Sequence, residues 1–336
     1  MKRPSRLATL TMLSSLMVVS RVALADPQQG GWLPQQLFPP DNWWNADISW
    51  APVDPASDYY ISYIRRWGSL PLHPVLGGDF WDGGLERNWG FPYITVDWWQ
   101  PRVPVDFDYP TVSDGVDHGT GQSYPFYPIP DEAIWYRHWI QGGLPGYIDD
   151  RQQDRHMLIV DNGSNWLYEL YNVWFDESQW RWHAGSGAFH DMNANDLRPQ
   201  GWPGADESGM AMLPGLLRYE EVYGPDEIRH AVRVTLPDSN GYVYPATNSS
   251  RWNSGAPPLG ARLRLKADVD IAGFPWELQK IFRAMKRYGL IATTVGDTYL
   301  QVSGTYDVRW NCDILNPAFH LLHAADFEFI HLGWTP

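Results

Sequence analysis

Arg155-His156-Met157-Leu158-Ile159-Val160-Asp161-Asn162-Gly163-Ser164-Asn165-Trp166-Leu167-Tyr168-Glu169-Leu170-Tyr171 sets two apolar runs on either side of Asn-Gly. Asn-Gly between such runs is the strongest short-range hairpin signal, because a type I′ turn needs positive φ at both central residues. With Asn162 and Gly163 at the turn centre, residue i pairs with residue 325 − i. His156 is then expected directly opposite Glu169, with both side chains on one face. Leu158 and Leu167 share that face.

Working outward, further strands are expected at 180–183, 187–192, 227–236, 242–245, 262–267, 290–294, 299–303 and 327–332. The segment 26–150 is rich in Pro, Gly, Trp and Asp and reads as loops and short strands wrapping a core built by 151–336. One helix stands out near the C-terminus. Pro275 suits its start, Leu278, Ile281, Phe282 and Met285 form an apolar stripe, and Gly289 supplies the stop. Many short strands, long ordered loops and one long α-helix predict a mainly β chain. The expected architecture is a jelly-roll-like β-sandwich, a single domain over 26–336.

The chain has 336 residues, with 39 Asp and Glu against 25 Lys and Arg, hence a formal net charge of −14. An acidic chain without a basic run is a poor nucleic-acid ligand, since phosphate neutralisation needs clustered Lys and Arg. One Cys among 336 residues excludes a disulfide scaffold and a Cys-rich zinc site. At the N-terminus, Lys2, Arg3 and Arg6 precede an apolar stretch, and Ala23-Leu24-Ala25 follows as a small-x-small cleavage pattern. This predicts a secretory signal peptide over 1–25 and no membrane span. Its removal would take four basic residues and no acidic one, moving the charge to −18. That favours a neutral polymer over an anionic one as partner.

The sequence lacks a Gly-x-Ser-x-Gly elbow, a P-loop, a dinucleotide fingerprint and a His-Glu-x-x-His helix. What it offers are polar groups on predicted strands and a carboxylate-rich loop. His156 and Glu169 pair by register. His230 is expected mid-strand, sharing one face with Val232 and Val234, while Arg229 and Arg233 point the other way. The loop 189–209 carries Asp191, Asn193, Asn195, Arg198, Trp202, Asp206 and Glu207. Against each residue stands a structural alternative: a satisfied buried histidine, or an Asp or Asn capping its own turn.

These segments resemble a widespread family of secreted bacterial and fungal proteins, usually described as hypothetical. The resemblance covers nearly all of 26–336. It is carried by Pro40–Ser49, Tyr127–Pro130, Asp154–His156, Leu167–Tyr171 and Asn195–Pro199. It continues through Ala205–Gly209, Leu213–Val222, Ile228–Ala231, Tyr244–Ala246, Gly260–Leu265 and Lys286–Gly289. It implies one coherent domain with a site built from these motifs, and it names no activity. In that family Asp206 is followed by two small residues. Here Glu207 and Ser208 stand there, so Glu207 is not carried over as a shared catalytic group.

The leading expectation is a secreted polysaccharide-degrading enzyme, a glycoside hydrolase working with paired carboxylates and requiring no cofactor. Glu169 and Asp191 are the first-choice carboxylates, Asp206 the reserve, and His156 and His230 the supporting imidazoles. Trp202, Arg198, Asn193, Asn195 and Tyr171 are the expected substrate contacts, Trp202 by stacking on a sugar face. Two other readings stay open for catalysis. His156, Glu169 and His230 could hold a divalent metal as a two-His, one-carboxylate set. Alternatively, His156 or His230, with Tyr171 and Arg198, could run a polysaccharide lyase elimination. A non-catalytic carbohydrate-binding protein is the third alternative.

Overall fold

The structure, a computed structural model, describes residues 26–336 apart from 83, 84, 152, 297 and 298. The expected signal peptide lies outside the described residues. The chain is mainly β and forms several sheets. A five-stranded sheet runs in the order Gln28–Gln29, Tyr93–Val96, Met157–Asp161, Trp166–Tyr171, Ser186–Asp191. A six-stranded sheet runs Phe327–Phe329, Arg262–Leu265, Leu290–Val295, Val232–Leu236, Leu300–Ser303, Leu72–Val75. A smaller three-stranded sheet joins Trp174–Asp176, Arg181–Ala184 and Val105–Phe107.

Both large sheets are mixed. Tyr93–Val96 pairs in parallel with Met157–Asp161, as do Val232–Leu236 with Leu290–Val295 and Leu300–Ser303 with Leu72–Val75. A jelly roll is antiparallel throughout, so these pairs take the architecture away from the one expected. Parallel neighbours need long crossovers, and the long loops of this chain supply them.

The hairpin forms, in a shifted register. Trp166 pairs with Asp161 and Glu169 with Leu158, so partners sum to 327 rather than 325. Asp161 explains the shift. Its Oδ1 accepts the N–H groups of Gly163 (3.0 Å) and Ser164 (3.1 Å), and Asn165 takes the left-handed conformation at φ 57°. The result is a four-residue loop closed by an Asx-type cap rather than a two-residue turn. Gly163 is there for close approach: a Cβ would collide with Asp97 and with the Trp98 nitrogen at 2.8 Å. A shift of two keeps every side chain on its predicted face. It nevertheless removes His156 from its place opposite Glu169 and leaves it just before the strand.

The five-stranded sheet is covered on both faces. Met157, Ile159, Tyr168 and Leu170 pack toward Tyr127, Ile134 and Trp182, while Leu158, Val160 and Leu167 pack toward Phe91, Met212 and Leu213. The six-stranded sheet buries Val232, Val234, Leu263, Leu290 and Val302 against the helix Trp276–Arg287. That helix lays Leu278, Ile281, Phe282 and Met285 into the core, about 1.5–3 kcal/mol of burial each. Helices also form at Ser57–Ile64 and Cys312–Phe319. Among the described residues no helix is long and apolar enough to cross a membrane.

The strand expected over 227–236 begins only at Val232. His230 therefore precedes it, and the alternation around His230 does not describe a sheet face. Within the strand the alternation holds: Val232, Val234 and Leu236 enter the core, and Arg233 and Thr235 face the other way.

Candidate functional site

The outward face of the six-stranded sheet and the strand ends at one side of the five-stranded sheet enclose a cleft of about 680 Å³. One wall comes from Arg233, Thr235, Thr294 and Gln301, the residues that alternate with core positions on their strands. The other wall comes from Phe91, Asp154, His156 and Tyr171. The loop Pro203–Glu207 closes the floor between them. Backbone bonds pin this loop: Ser208 N–H donates to Thr293 O (3.0 Å), and Thr247 N–H donates to Ser208 O (2.9 Å). Gly209 turns the chain at φ 78°, where a Cβ would meet the Trp202 carbonyl oxygen at 2.7 Å.

Asp206 and Arg233 form the charged centre. Arg233 Nη2 donates to Asp206 Oδ2 at 2.6 Å, and Arg233 Nη1 donates to Ser303 Oγ at 3.0 Å. Both side chains are about 95% buried. Asp206 Oδ1 accepts the N–H of Glu207 at 3.0 Å. Glu207 is itself tethered, with Oε1 accepting Ser250 N–H (2.7 Å) and Ser250 Oγ–H (2.6 Å).

His156 sits between Phe91 and Tyr171, with both ring centroids 5.5 Å away. Its Nδ1 lies 2.5 Å from Gln141 Oε1 and its Nε2 lies 3.0 Å from the Ala205 carbonyl. Burial pushes the imidazole pKa below its ordinary value, against the pull of Asp154 and Asp206. A neutral imidazole carries one N–H and donates to one of these two oxygens, and the ring is held beside the loop by its packing between Phe91 and Tyr171. Asp154, by contrast, is exposed at the cleft wall. The cleft thus gathers three carboxylates, one guanidinium, one imidazole and Tyr171.

The chain matches no family model, no curated protein and no solved structure.

Of the residues expected from sequence, His156, Tyr171 and Asp206 line this cleft, and the others lie elsewhere. Glu169 is fully buried beneath it. Its carboxylate accepts the N–H groups of Met212 (2.9 Å) and Leu213 (3.0 Å), capping the short 3₁₀ turn Leu213–Gly215. Burial raises its pKa to about 7 despite those bonds. His190 Nε2 lies 3.8 Å from it, with a pKa pushed down to about 3 by burial and by Arg198. Asp191 caps its own turn, accepting Asn193 N–H at 2.9 Å.

Asn193 Oδ1 accepts from Asn165 Nδ2 (2.8 Å), and Asn195 bridges Asp41 and Asn42. Arg198 donates to the carbonyls of Pro203 (2.9 Å) and Val112 (3.0 Å) and pairs with Asp114. It fastens the loop to the wrapping segment rather than waiting for substrate. Trp202 packs edge-on against His118 at 5.1 Å, beside the loop and outside the cleft lining.

His230 pairs with Glu221 at 3.2 Å and with its neighbour's carbonyl, Ala231 O, at 2.8 Å. Burial pushes Glu221 upward, and the opposing charges and hydrogen bonds of His230 and Arg218 hold it at about 2. His156, Glu169 and His230 thus have separate partners. Among the described residues no group of three or more His, Cys, Asp or Glu side chains is arranged to hold a metal ion.

Asp154 and Arg233 are the functional candidates that the sequence did not single out. Strand alternation already placed Arg233 on the face away from the core. Asp154 entered only as the first residue of the motif Asp154–His156, with no role attached to it.

Proposed function

We propose that this protein is a secreted carbohydrate-active enzyme that hydrolyses glycosidic bonds of a neutral polysaccharide in the cleft. The observation that carries the reading is the convergence of Asp154, Asp206 and Glu207 on one cavity large enough for sugar rings. Glycoside hydrolysis uses two carboxylates about the scissile bond and passes through an oxocarbenium-like transition state. Asp154, exposed on the wall, is the proton-transferring carboxylate. Asp206, fixed by Arg233, supplies an oriented negative charge near the developing positive centre. His156 and Tyr171 position the ring between them. Three acids against one base leave the cleft acidic, which favours a neutral chain.

The expected N-terminal signal supports export, and the absence of a phosphate-binding or dinucleotide motif from the sequence is consistent with cofactor-free hydrolysis. The test is to incubate the purified protein with neutral glucans, xylans and mannans and to measure new reducing ends. The reading expects their release from at least one polymer class. Release from none overturns it.

One observation favours a second reading. His156 and Tyr171 stand side by side with Arg233 across the same cleft. Tyr or His bases with an Arg serve β-elimination on uronate polymers, and an unsaturated, ultraviolet-absorbing product would identify that chemistry. The burial of Arg233 counts against it, because both of its Nη groups are already engaged by Asp206 and Ser303 and little of the guanidinium is left to meet a uronate.

A further inference from the structure

We infer that the cleft continues into a second subsite built on Trp89, which takes a further ring of the same carbohydrate chain. This rests on reading the cleft as a glycan site. A neighbouring cavity of about 260 Å³ is lined by Phe80, Trp89, Gly90 and Gln153. It shares Val75, Gln141, Asp154 and Gln301 with the main cleft. The two spaces therefore meet along one wall, and Asp154 stands at the junction.

Trp89 has the properties of a sugar platform. The residue is half-exposed and, unlike the exposed Trp32, Trp98 and Trp252, it lines a cavity that borders the cleft. Phe80 stacks on it nearly parallel, with centroids 4.2 Å apart and planes 13° apart. One indole face is thus covered by Phe80, which restrains the ring before any ligand arrives. The backbone is held as firmly. Trp89 N–H donates to Gly78 O at 3.0 Å, and Phe91 N–H donates to Gly304 O at 2.9 Å. Gly90 allows the approach between them: at φ 77°, a Cβ would meet the Thr305 carbonyl oxygen at 2.9 Å. A rigid aromatic face bordered by Gln153, Gln301 and Asp154 matches a pyranose, which has an apolar face and a rim of hydroxyls.

With one ring in the main cleft and the next on Trp89, the linkage between them lies at Asp154. The substrate class is therefore an oligomer or polymer bound across the cleaved bond, not a single terminal sugar on a small aglycone.

The test compares wild type, Trp89→Ala and Trp89→Phe on oligosaccharides of two to six units from the polymer class that wild type cleaves, with thermal unfolding as a folding check. Trp89→Ala should lower kcat/KM by about 2- to 10-fold on the longer chains, the size expected for one aromatic contact. The loss should shrink toward the shortest substrate and recover in Trp89→Phe. An equal loss at every length, or none, in a folded variant overturns the second subsite while leaving the cleft reading intact. Wild type that cleaves no glycan in the panel overturns both.

Discussion

Arg233 Nη2 stands 2.6 Å from Asp206 Oδ2 with both side chains nearly sealed from solvent, so the floor loop of the cleft is tied to its sheet wall by an ion pair that the fold must keep intact. Removing one partner strands the other charge in a low-dielectric site. Asp206→Ala should therefore cost about 3–5 kcal/mol. Urea unfolding of wild type and variant measures this. A loss below about 1 kcal/mol would show that Arg233 finds water or another acceptor, and that the pair does not organise the floor.

Glu169 should matter to stability and not to catalysis. Its native pKa of about 7 lies above the ordinary 4.5, so the native state holds the extra proton between those values. The stabilisation is full below pH 4.5 and is lost as pH rises through about 7, a change of about 3 kcal/mol. In Glu169→Gln that slope should vanish while the amide oxygen still accepts the Met212 and Leu213 N–H groups. Denaturant midpoints from pH 4 to 8 test the slope, and unchanged turnover in the same variant tests the assignment.

Glu221 works with the opposite sign. Its pKa of about 2 lies below the ordinary 4.5, so the stability that it contributes is present above 4.5 and is lost as pH falls through about 2. Glu221→Gln should weaken the hold on His230 and Arg218 and flatten the acid limb of the stability profile. Acid unfolding followed by circular dichroism would detect this. An unaltered acid limb would mean that other carboxylates dominate.

Arg198 is expected to act as a fastener. Its guanidinium reaches two carbonyls and Asp114 at once, a fork that an ammonium cannot reproduce. Arg198→Lys should lose about 1.5–3 kcal/mol, typical of hydrogen bonds to a charged group. Its KM should change no more than its folding does. A selective rise in KM in a fully folded variant would return Arg198 to the substrate.

Much of the fold was legible because periodicity reports faces. The stripe Leu278, Ile281, Phe282, Met285 located the helix, and the alternation Val232, Val234, Leu236 located a core strand with Arg233 opposite. The hairpin was legible in place but not in register, because Asp161 captures two backbone N–H groups and lengthens the loop by two residues. Parallel pairings such as Val232–Leu236 with Leu290–Val295 were not legible at all, since long-range pairing leaves no local trace.

The site divides in the same way. Asp206 was visible as part of a carboxylate-rich loop, and His156 through its expected register opposite Glu169. The same two signals also raised Asp191 and Glu169, whose carboxylates proved to cap backbone N–H groups. Sequence cannot separate a carboxylate that caps from one that faces a cavity. Asp154 joins Asp206 and Arg233 only through the approach of two sheets.

The most direct measurement is the rate of reducing-end release by Asp154→Asn on the glycan that wild type cleaves, with denaturant stability recorded alongside. Asp154 is exposed, so the variant should fold like wild type. A proton-transferring carboxylate predicts a fall in kcat of about 10²–10⁴-fold. Turnover within a few-fold of wild type in the folded variant would contradict the assignment of the cleft as a carboxylate-driven hydrolase.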